Sequence, residues 1–386
     1  MRAVVKSYKI RIYPNKSLQD KLYKNFGYNR FVFNHLLNYN KLIFDLVINN
    51  PRINPYNYKA KFNRSTLNNW LNILKTEHSF LKDSESTSLQ STCDIFKDSM
   101  TRFFKQQNKF PRFKARKNPL QSIRLKNNNN SIRFKNNKLK LPRLGLVKYQ
   151  DNRKIKGNIL SATVKLENNR WFAVLNCKNV LIEPLPWTGN NIGIDLGLKD
   201  LMTFSNGEKR KPITRLTKIE HQIARLNKKL SRQVRESNNW KKNVRKLQKL
   251  YNKVFDIRND EYQKLSTEII KSFDLIGLEK LSVKNMIKNP RLSHSISQIA
   301  WSKLVEMIKY KAKWHGKKCI QVSKVFPSSK LCNKCGYKKE DLTLSIRKWT
   351  CPKCGTKHDR DINASINILN EAIRINNECT AGHAGI

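Results

Sequence analysis

Four cysteines and three acids have the residue types and spacing that chemistry would need. The cysteines form two Cys-x-x-Cys pairs, Cys332/Cys335 and Cys351/Cys354, with fifteen residues between the pairs. That spacing suits one tetrahedral Zn(II), because each pair bends so that two thiolates reach the same ion at about 2.3 Å. Gly336 and Gly355 follow the second cysteine of each pair, where the backbone must turn. Four thiolates fill the coordination shell, so the expected role is structural: folding a small ribbon that cannot bury a core of its own. A redox dithiol is the rival reading for one such pair, and two pairs at ribbon spacing argue against it. His358 lies outside the knuckles and reads as an ordinary polar loop residue.

Acids are scarce, 28 Asp+Glu against 78 Lys+Arg, so their placement is informative. Asp195 lies in the apolar run IGIDLG, Glu279 closes the run LIGLE, and Asp361 opens an apolar helix just beyond the cysteines. A carboxylate at the end of a buried strand costs several kcal/mol unless it meets a cation. Lys or Arg would serve one acid, whereas a divalent metal would hold several. Two Mg(II) or Mn(II) ions about 3.5–4 Å apart activate a water and stabilise the leaving oxygen of a phosphodiester, and oxygen ligands suit such hard cations. Singly, each acid has a plainer role: Asp195 in a turn or salt bridge, Glu279 as a strand-end charge, Asp361 as a helix N-cap. Sequence by itself does not bring the three together.

The elements that must position these residues follow from periodicity. Tyr8, Ile10 and Ile12 alternate with Lys9 and Arg11, which predicts a half-buried strand stopped by Pro14. Helical spacing runs from Ser17 to about Val47, breaks at Pro51 and Pro55, and resumes over 65–75 and 84–107. Residues 15–104 thus read as a helical domain. Short alternating runs follow at 132–134, 139–141, 147–149, 162–166 and 171–175, with Asn-rich turns at 127–130, 136–137 and 168–169. They predict a β-barrel or sheet over 105–180, joined by the first strand. Pro184 and Pro186 mark a linker. Beyond it the pattern gives two strands over 190–209, two long basic helices over about 213–272 broken near 237–239, a strand ending at Glu279, a helix over 296–314, a strand over 320–325, the knuckles and a last helix over 362–375.

The 386 residues carry a net charge of +50, spread along the whole chain, and suggest two to three domains. A chain this basic repels itself unless it binds a polyanion, so nucleic acid is the leading partner and binding should weaken steeply with salt. No run approaches the roughly 18 apolar residues of a membrane span, and the N-terminus lacks a secretory core and cleavage site. No membrane partner and a cytoplasmic location are expected. The cysteines outside the knuckles, Cys93, Cys177, Cys319 and Cys379, are scattered and read as buried thiols.

Taken together, these stretches resemble the TnpB (OrfB) family of insertion-sequence proteins, compact relatives of the type V CRISPR effector nucleases. YKIRIYPNKSLQ (8–19) and GYNRFVFNHLL (27–37) resemble the family's opening, and FPRFKARKN (110–118) its Pro-Arg-Phe-Lys segment. GIDLGLKDLMTFSNG (193–207), LIGLEKLSVKNM (275–286) and HDRDINASINIL (358–369) resemble its three nuclease motifs, SSKLCNKCG and TCPKCG its ribbon, and residues 225–242 its long-helix segment. The resemblance implies an α+β multidomain fold. A RuvC nuclease domain of RNase H-like form (186–386) would carry a zinc ribbon (328–357). A β-barrel wedge domain (1–14 with 105–185) would precede it and carry the helical recognition insertion (15–104).

It also implies that Asp195, Glu279 and Asp361 bind two Mg(II) or Mn(II) ions as the catalytic triad, with Asp359 the neighbour to test against Asp361. One Zn(II) would sit on Cys332, Cys335, Cys351 and Cys354. The implied partners are a guide RNA copied from the transposon end, double-stranded target DNA cut beside a short adjacent motif, and a separate transposase of the same element, all in a prokaryotic cytoplasm or nucleoid. Base pairing would read most of the target and the protein only the adjacent motif. Arg112, Lys114, Arg116 and Lys117 are expected, as a group, to follow phosphates. Phe110, Phe113 and Trp240 are candidates for base stacking or for ordinary packing. Some relatives have lost nuclease acids and act as guided repressors; all three acids are present here. A strand-transferring transposase is a third reading, and the resemblance argues against it.

Overall fold

The computed structural model describes residues 1–48, 63–118, 120–343 and 346–381. The predicted break at Pro51 and Pro55 lies outside the described residues. The chain divides into two compact units, Ala3–Leu181 and Met1–Arg2 with Ile182–Ile386. Among the described residues no helix is long and apolar enough to cross a membrane.

Among the described residues, the first unit joins a seven-stranded sheet to three α-helices. Its strands are β1 (Arg2–Tyr13), β2 (Leu120–Lys126), β3 (Arg133–Lys135), β4 (Lys138–Leu141), β5 (Gly145–Gln150), β6 (Asn158–Glu167) and β7 (Arg170–Ile182), in the order β2-β6-β7-β1-β5-β4-β3. Tyr8, Ile10 and Ile12 of β1 are buried, as their alternation requires. Asn136–Asn137 and Asn168–Asn169 all take positive φ. Two such residues in a two-residue loop match the right-handed twist of the flanking strands, and Asn tolerates that conformation best after Gly. Strand β2 was not predicted: its alternating Ile123 and Leu125 are set among Ser122, Arg124 and Lys126 in a run of seven, too short to read against the basic background. Helices α1 (Lys16–Ile48), α2 (Arg64–Glu77) and α3 (Ser86–Phe104) share one apolar cluster that includes Phe33, Leu37, Leu71, Leu74, Phe96 and Met100. The Asn63 side chain caps α2 and that of Glu85 caps α3.

The second unit is built on a five-stranded sheet in the order β10-β9-β8-β11-β12: β8 (Asn191–Asp195), β9 (Met202–Phe204), β10 (Lys209–Arg210), β11 (Leu275–Glu279) and β12 (Lys318–Val322). Strands β8, β11 and β12 are parallel, and β9 and β10 add antiparallel pairings on one edge. Between β10 and β11 run α4 (Thr217–Ser231) and α5 (Asn238–Ser272), the latter capped by Ser237 at the predicted break. The single helix expected over 296–314 is instead two, α6 (Pro290–Ile299) and α7 (Trp301–His315), because Ala300 between them takes a left-handed φ of 54°. A two-stranded ribbon, β13 (Lys348–Thr350) and β14 (Lys357–Asp359), leads into α8 (Arg360–Ala381). Cys93 and Cys177 are buried and Cys319 is half-buried, whereas Cys379 is exposed: it lies near the end of α8, past the residues that pack on the sheet, and is not the buried thiol expected.

Strand alternation divides the sheet's two faces. Ile192, Ile194, Ile276 and Leu278 pack into the core with Tyr262 and Ile269 of α5 and Trp301, Leu304 and Ile308 of α7. Odd-numbered positions of β8 and β11, with their even-numbered register partners on β12, face the other way, toward α8, where Leu275 and Val322 meet Ile368 and Ala372. Gly193 and Gly277 are direct register partners on that face. A Cβ on Gly193 would overlap the Ser365 carbonyl oxygen, and one on Gly277 would stand 2.9 Å from Ala372 Cβ and 3.0 Å from the Ile368 carbonyl oxygen. The α8 backbone therefore rests directly on β8 and β11, a seat that only glycine leaves open.

Candidate active site

Two residues beyond the glycine seat, on the same face and at the carboxyl ends of neighbouring parallel strands, stand Asp195 and Glu279. Their side chains are hydrogen-bonded to each other. Among the described residues neither has a Lys or Arg ion-pair partner, so a basic protein leaves these two acids uncompensated. Burial raises the Asp195 carboxyl well above its ordinary range, and the charges of Glu279 and Asp361 raise it further. Burial raises Glu279 as well, although the bond to Asp195 opposes it. The third acid enters from α8. That helix lies along the sheet with Ser365 over Gly193, so its first turn, one turn earlier, brings Asp361 to the strand ends close enough to act on Asp195. All three acids are half-buried and open to solvent on one side.

The neighbouring charges are arranged around Asp361. The N-cap role considered for Asp361 belongs to Asp359, whose Oδ1 accepts from the backbone N–H of Asp361 (3.1 Å) and Ile362 (3.2 Å). Lys209 holds the other Asp359 oxygen at 2.8 Å. Burial alone would raise the Asp359 carboxyl, but Lys209 and the two N–H groups hold it below its usual value. Asp361 is thereby freed from capping, and Arg347 of the ribbon donates to both its oxygens at 3.2 and 3.3 Å. Sequence reasoning missed Lys209 and Arg347, which are two among 78 cations with no local signature.

The four cysteines meet in the ribbon. Their sulfurs all lie within 4.8 Å of one another, and the pairs Cys332/Cys354 and Cys335/Cys351 are 3.6 Å apart. A tetrahedron of 2.3 Å metal–sulfur bonds has edges of about 3.8 Å, so the donor set fits Zn(II) in type, number and spacing. In each knuckle the glycine N–H, Gly336 or Gly355, bonds back to the first cysteine's carbonyl at 2.9 Å, with φ of +73° and +67°. His358 departs from the reading as an ordinary loop residue. It lies in β14, buried, its ring 4.7 Å from that of Trp349 and its Nε2 3.1 Å from Cys332 Sγ. Ribbon pairing sets it directly opposite Trp349, which sequence distance concealed.

The basic group Arg112, Lys114, Arg116 and Lys117 lies in an exposed irregular segment of the first unit. The Lys114 backbone is held by the Asn34 side chain at 2.8 and 3.0 Å, and its ammonium sits 3.9 Å over the Phe33 ring. Phe110 packs on Phe44 and Phe103, in the helical cluster rather than a β core. Phe113 is 53% exposed, and Trp240 is half-buried in the first turn of α5.

Comparison with known proteins places the chain among its relatives. Residues 162–290 match the family model described as "Probable transposase" (OrfB of IS605), residues 1–43 its helix-turn-helix domain, and residues 301–368 the "Cas12f1-like, TNB domain". A Streptomyces pristinaespiralis protein named as an RNA-guided DNA endonuclease is 32% identical over 374 residues, covering 96% of this chain and 90% of its own. One from Escherichia coli K12 with the same description is 29% identical over 404 residues, covering 98% and 93%. Among solved structures, a Cas12f1 bound to guide RNA and target DNA aligns over 95% of this chain and 99% of its own, at 15% identity and a TM-score of 0.37. Identity sustained at this level over nearly the whole of both chains establishes that the protein belongs to the TnpB family, the OrfB proteins of IS605-type elements.

Proposed function

We propose that this protein is an RNA-guided endonuclease that hydrolyses DNA phosphodiesters at Asp195, Glu279 and Asp361. The observation that carries the reading is the uncompensated pair Asp195–Glu279 at the ends of adjacent parallel strands, with Asp361 within electrostatic reach. The carboxyl ends of parallel strands are where α/β sheets place their ligands. Three half-buried carboxylates with too few cations are a donor set for hard divalent ions. Mg(II) or Mn(II) ions, taken as two, would supply an activated water and stabilise the leaving oxygen. The chain's own residues hold those oxygens in place: the glycine seat sets the depth of α8, Asp359 caps it, and Arg347 lies beside the site as a cation for substrate phosphate.

The mixed sheet, with β8 central and the acids on β8, β11 and α8, supports an RNase H-like RuvC domain over 186–386 with a zinc ribbon at 328–357. Residues 1–14 and 105–185 would form the wedge, and 15–104 the recognition region. The charge of +50 supports binding of a guide RNA from the transposon end and of double-stranded DNA, with Arg112, Lys114, Arg116 and Lys117 on phosphates. The relatives' names are the ground for guidance by RNA. A short adjacent DNA motif, a separate transposase from the same element and a prokaryotic cytoplasmic setting complete the reading. It is tested by sequencing RNA that copurifies with the protein and challenging that particle with a plasmid library of randomised flanks. Cleavage that requires Mg(II) and disappears in Asp195→Ala is expected; tight binding without nicking under any divalent ion would identify a guided repressor instead.

A further inference from the structure

Two buried asparagines and one buried histidine join α8 to the first cysteine knuckle, on either side of Asp361. Asn363 Nδ2 donates to the Leu331 carbonyl at 2.7 Å, and its Oδ1 accepts from the Asn333 N–H at 3.0 Å, so this one amide grips the residues on both sides of Cys332. Asn367, one turn on, donates to the Leu331 and Ser328 carbonyls, both at 2.8 Å. His358 reaches Cys332 Sγ itself, at 3.1 Å. Asn363 is 1% exposed, and an amide buried to that degree is costly to leave unpartnered. Asp361 lies three residues after His358 and two before Asn363, between two anchors on a single knuckle.

We propose that His358, Asn363 and Asn367 are positioning residues that clasp the start of α8 to the four-cysteine centre, so that filling that centre places Asp361 against Asp195 and Glu279. The inference rests on the reading of Cys332, Cys335, Cys351 and Cys354 as a zinc centre. With Nε2 protonated, His358 donates to the Cys332 thiolate, the kind of outer hydrogen bond that orients a ligand and tunes its metal. Bonds to zinc fix the knuckle. The knuckle carbonyls and the Asn333 N–H fix Asn363 and Asn367, and those side chains fix the turn that carries Asp361. If the knuckle opens, the clasp loses its acceptors and the third acid loses its place. The two metal sites are then thermodynamically linked, each favouring occupancy of the other.

The test uses the full-length chain. Zinc content and the rate of zinc transfer to a chromogenic chelator report the ribbon, Mn(II) binding followed by electron paramagnetic resonance reports the acids, and circular dichroism reports the fold. His358→Phe keeps a ring against Trp349 but removes the donor; it should speed zinc release and weaken Mn(II) binding, each by about 10–100-fold. His358→Gln restores an N–H donor and should recover much of both. Asn363→Ala should retain one zinc while losing about tenfold or more in Mn(II) affinity. Asp195→Asn should weaken Mn(II) binding, with zinc release measured in the absence of Mn(II) at the wild-type rate. Zinc-stripped wild type should lose Mn(II) binding while its circular dichroism stays close to native, and this arm decides if Asn363→Ala fails to fold. Purified wild type without zinc would defeat the zinc-centre reading itself. Zinc bound normally, with Mn(II) affinity unchanged in His358→Phe, in Asn363→Ala and after stripping, would defeat the clasp alone.

Discussion

Asp274 and Glu279 stand at opposite ends of β11, and the two ends are built on opposite principles. Asp274, just before the strand, is 1% exposed and fully matched: its carboxylate accepts from Gly189 N (2.7 Å), Thr188 N (2.9 Å), Thr188 Oγ1 and the equally buried Lys317. Burial by itself would raise that carboxyl, but these donors outweigh it and hold it below its ordinary value. Its own backbone also ties β11 to its neighbours, through Asn190 and Lys318, each at 2.8 Å. Glu279, at the far end, shares a hydrogen bond with another acid and is raised. One end of the strand satisfies its carboxylate within the fold, and the other leaves two carboxyls without a Lys or Arg ion-pair partner among the described residues. A stable domain tolerates an unsatisfied site when the strain is offset elsewhere.

The sharpest way to break this comparison is to remove function without removing fold. Asp195→Ala should drop guided DNA cleavage below detection in a plasmid assay while leaving nucleic-acid binding intact; residual cutting would move the chemistry away from this strand end. Lys317→Ala should do the reverse. It strands a buried carboxylate, and denaturant unfolding should show a loss of about 3–5 kcal/mol.

Gly277→Ala acts on both sides at once, since it lifts α8 from its seat. Overpacking costs about 1–3 kcal/mol, and Mn(II) affinity at the acids should fall with it. Normal Mn(II) binding in a destabilised Gly277→Ala protein would show that Asp361 does not depend on that seat.

The smallest effect is the most diagnostic in sign. Asp195→Asn should raise metal-free stability by about 0.5–2 kcal/mol, because it removes a buried carboxyl that faces two other acids. A carboxyl raised in the folded state costs stability once the pH exceeds its unfolded value near 3.9, and the cost grows as pH climbs toward the folded value. The melting-temperature gap between Asp195→Asn and wild type, measured without metal, should therefore widen from about pH 4 into the neutral range. Asp274 has the opposite sign. Its depressed value adds stability above its unfolded value, and that stability is lost as pH falls through the folded one, so Asp274→Asn should flatten the acid limb of the stability curve. Parallel curves for the two variants would erase the distinction between the strand ends.

How much of this could be read beforehand depends on the range of the interaction. Asn136–Asn137 and Asn168–Asn169 were recognisable as turns because each solves a two-residue backbone problem on its own. The cysteine knuckles were equally local, with Gly336 and Gly355 where positive φ is needed. The helix divided at Ala300 was misjudged because its apolar face runs across the break and nothing nearby announces a left-handed alanine. Strand β2 was missed because it is recognised through β6, its partner more than thirty residues away.

The amino-acid order by itself determined which residue types are able to do chemistry here: four cysteines at ribbon spacing, and three acids at strand and helix ends in a chain of +50. Only the tertiary structure decided what each one is for. Asp359 caps and Asp361 does not, because α8 begins at Arg360 and Lys209 arrives from another strand. His358 meets the Cys332 sulfur because β14 folds back on β13. Asp195 and Glu279 share a face because two glycines 84 positions apart came into register and admitted a helix. Burial and charge act through space, with no regard for separation along the chain, so their balance exists only once the chain has closed on itself.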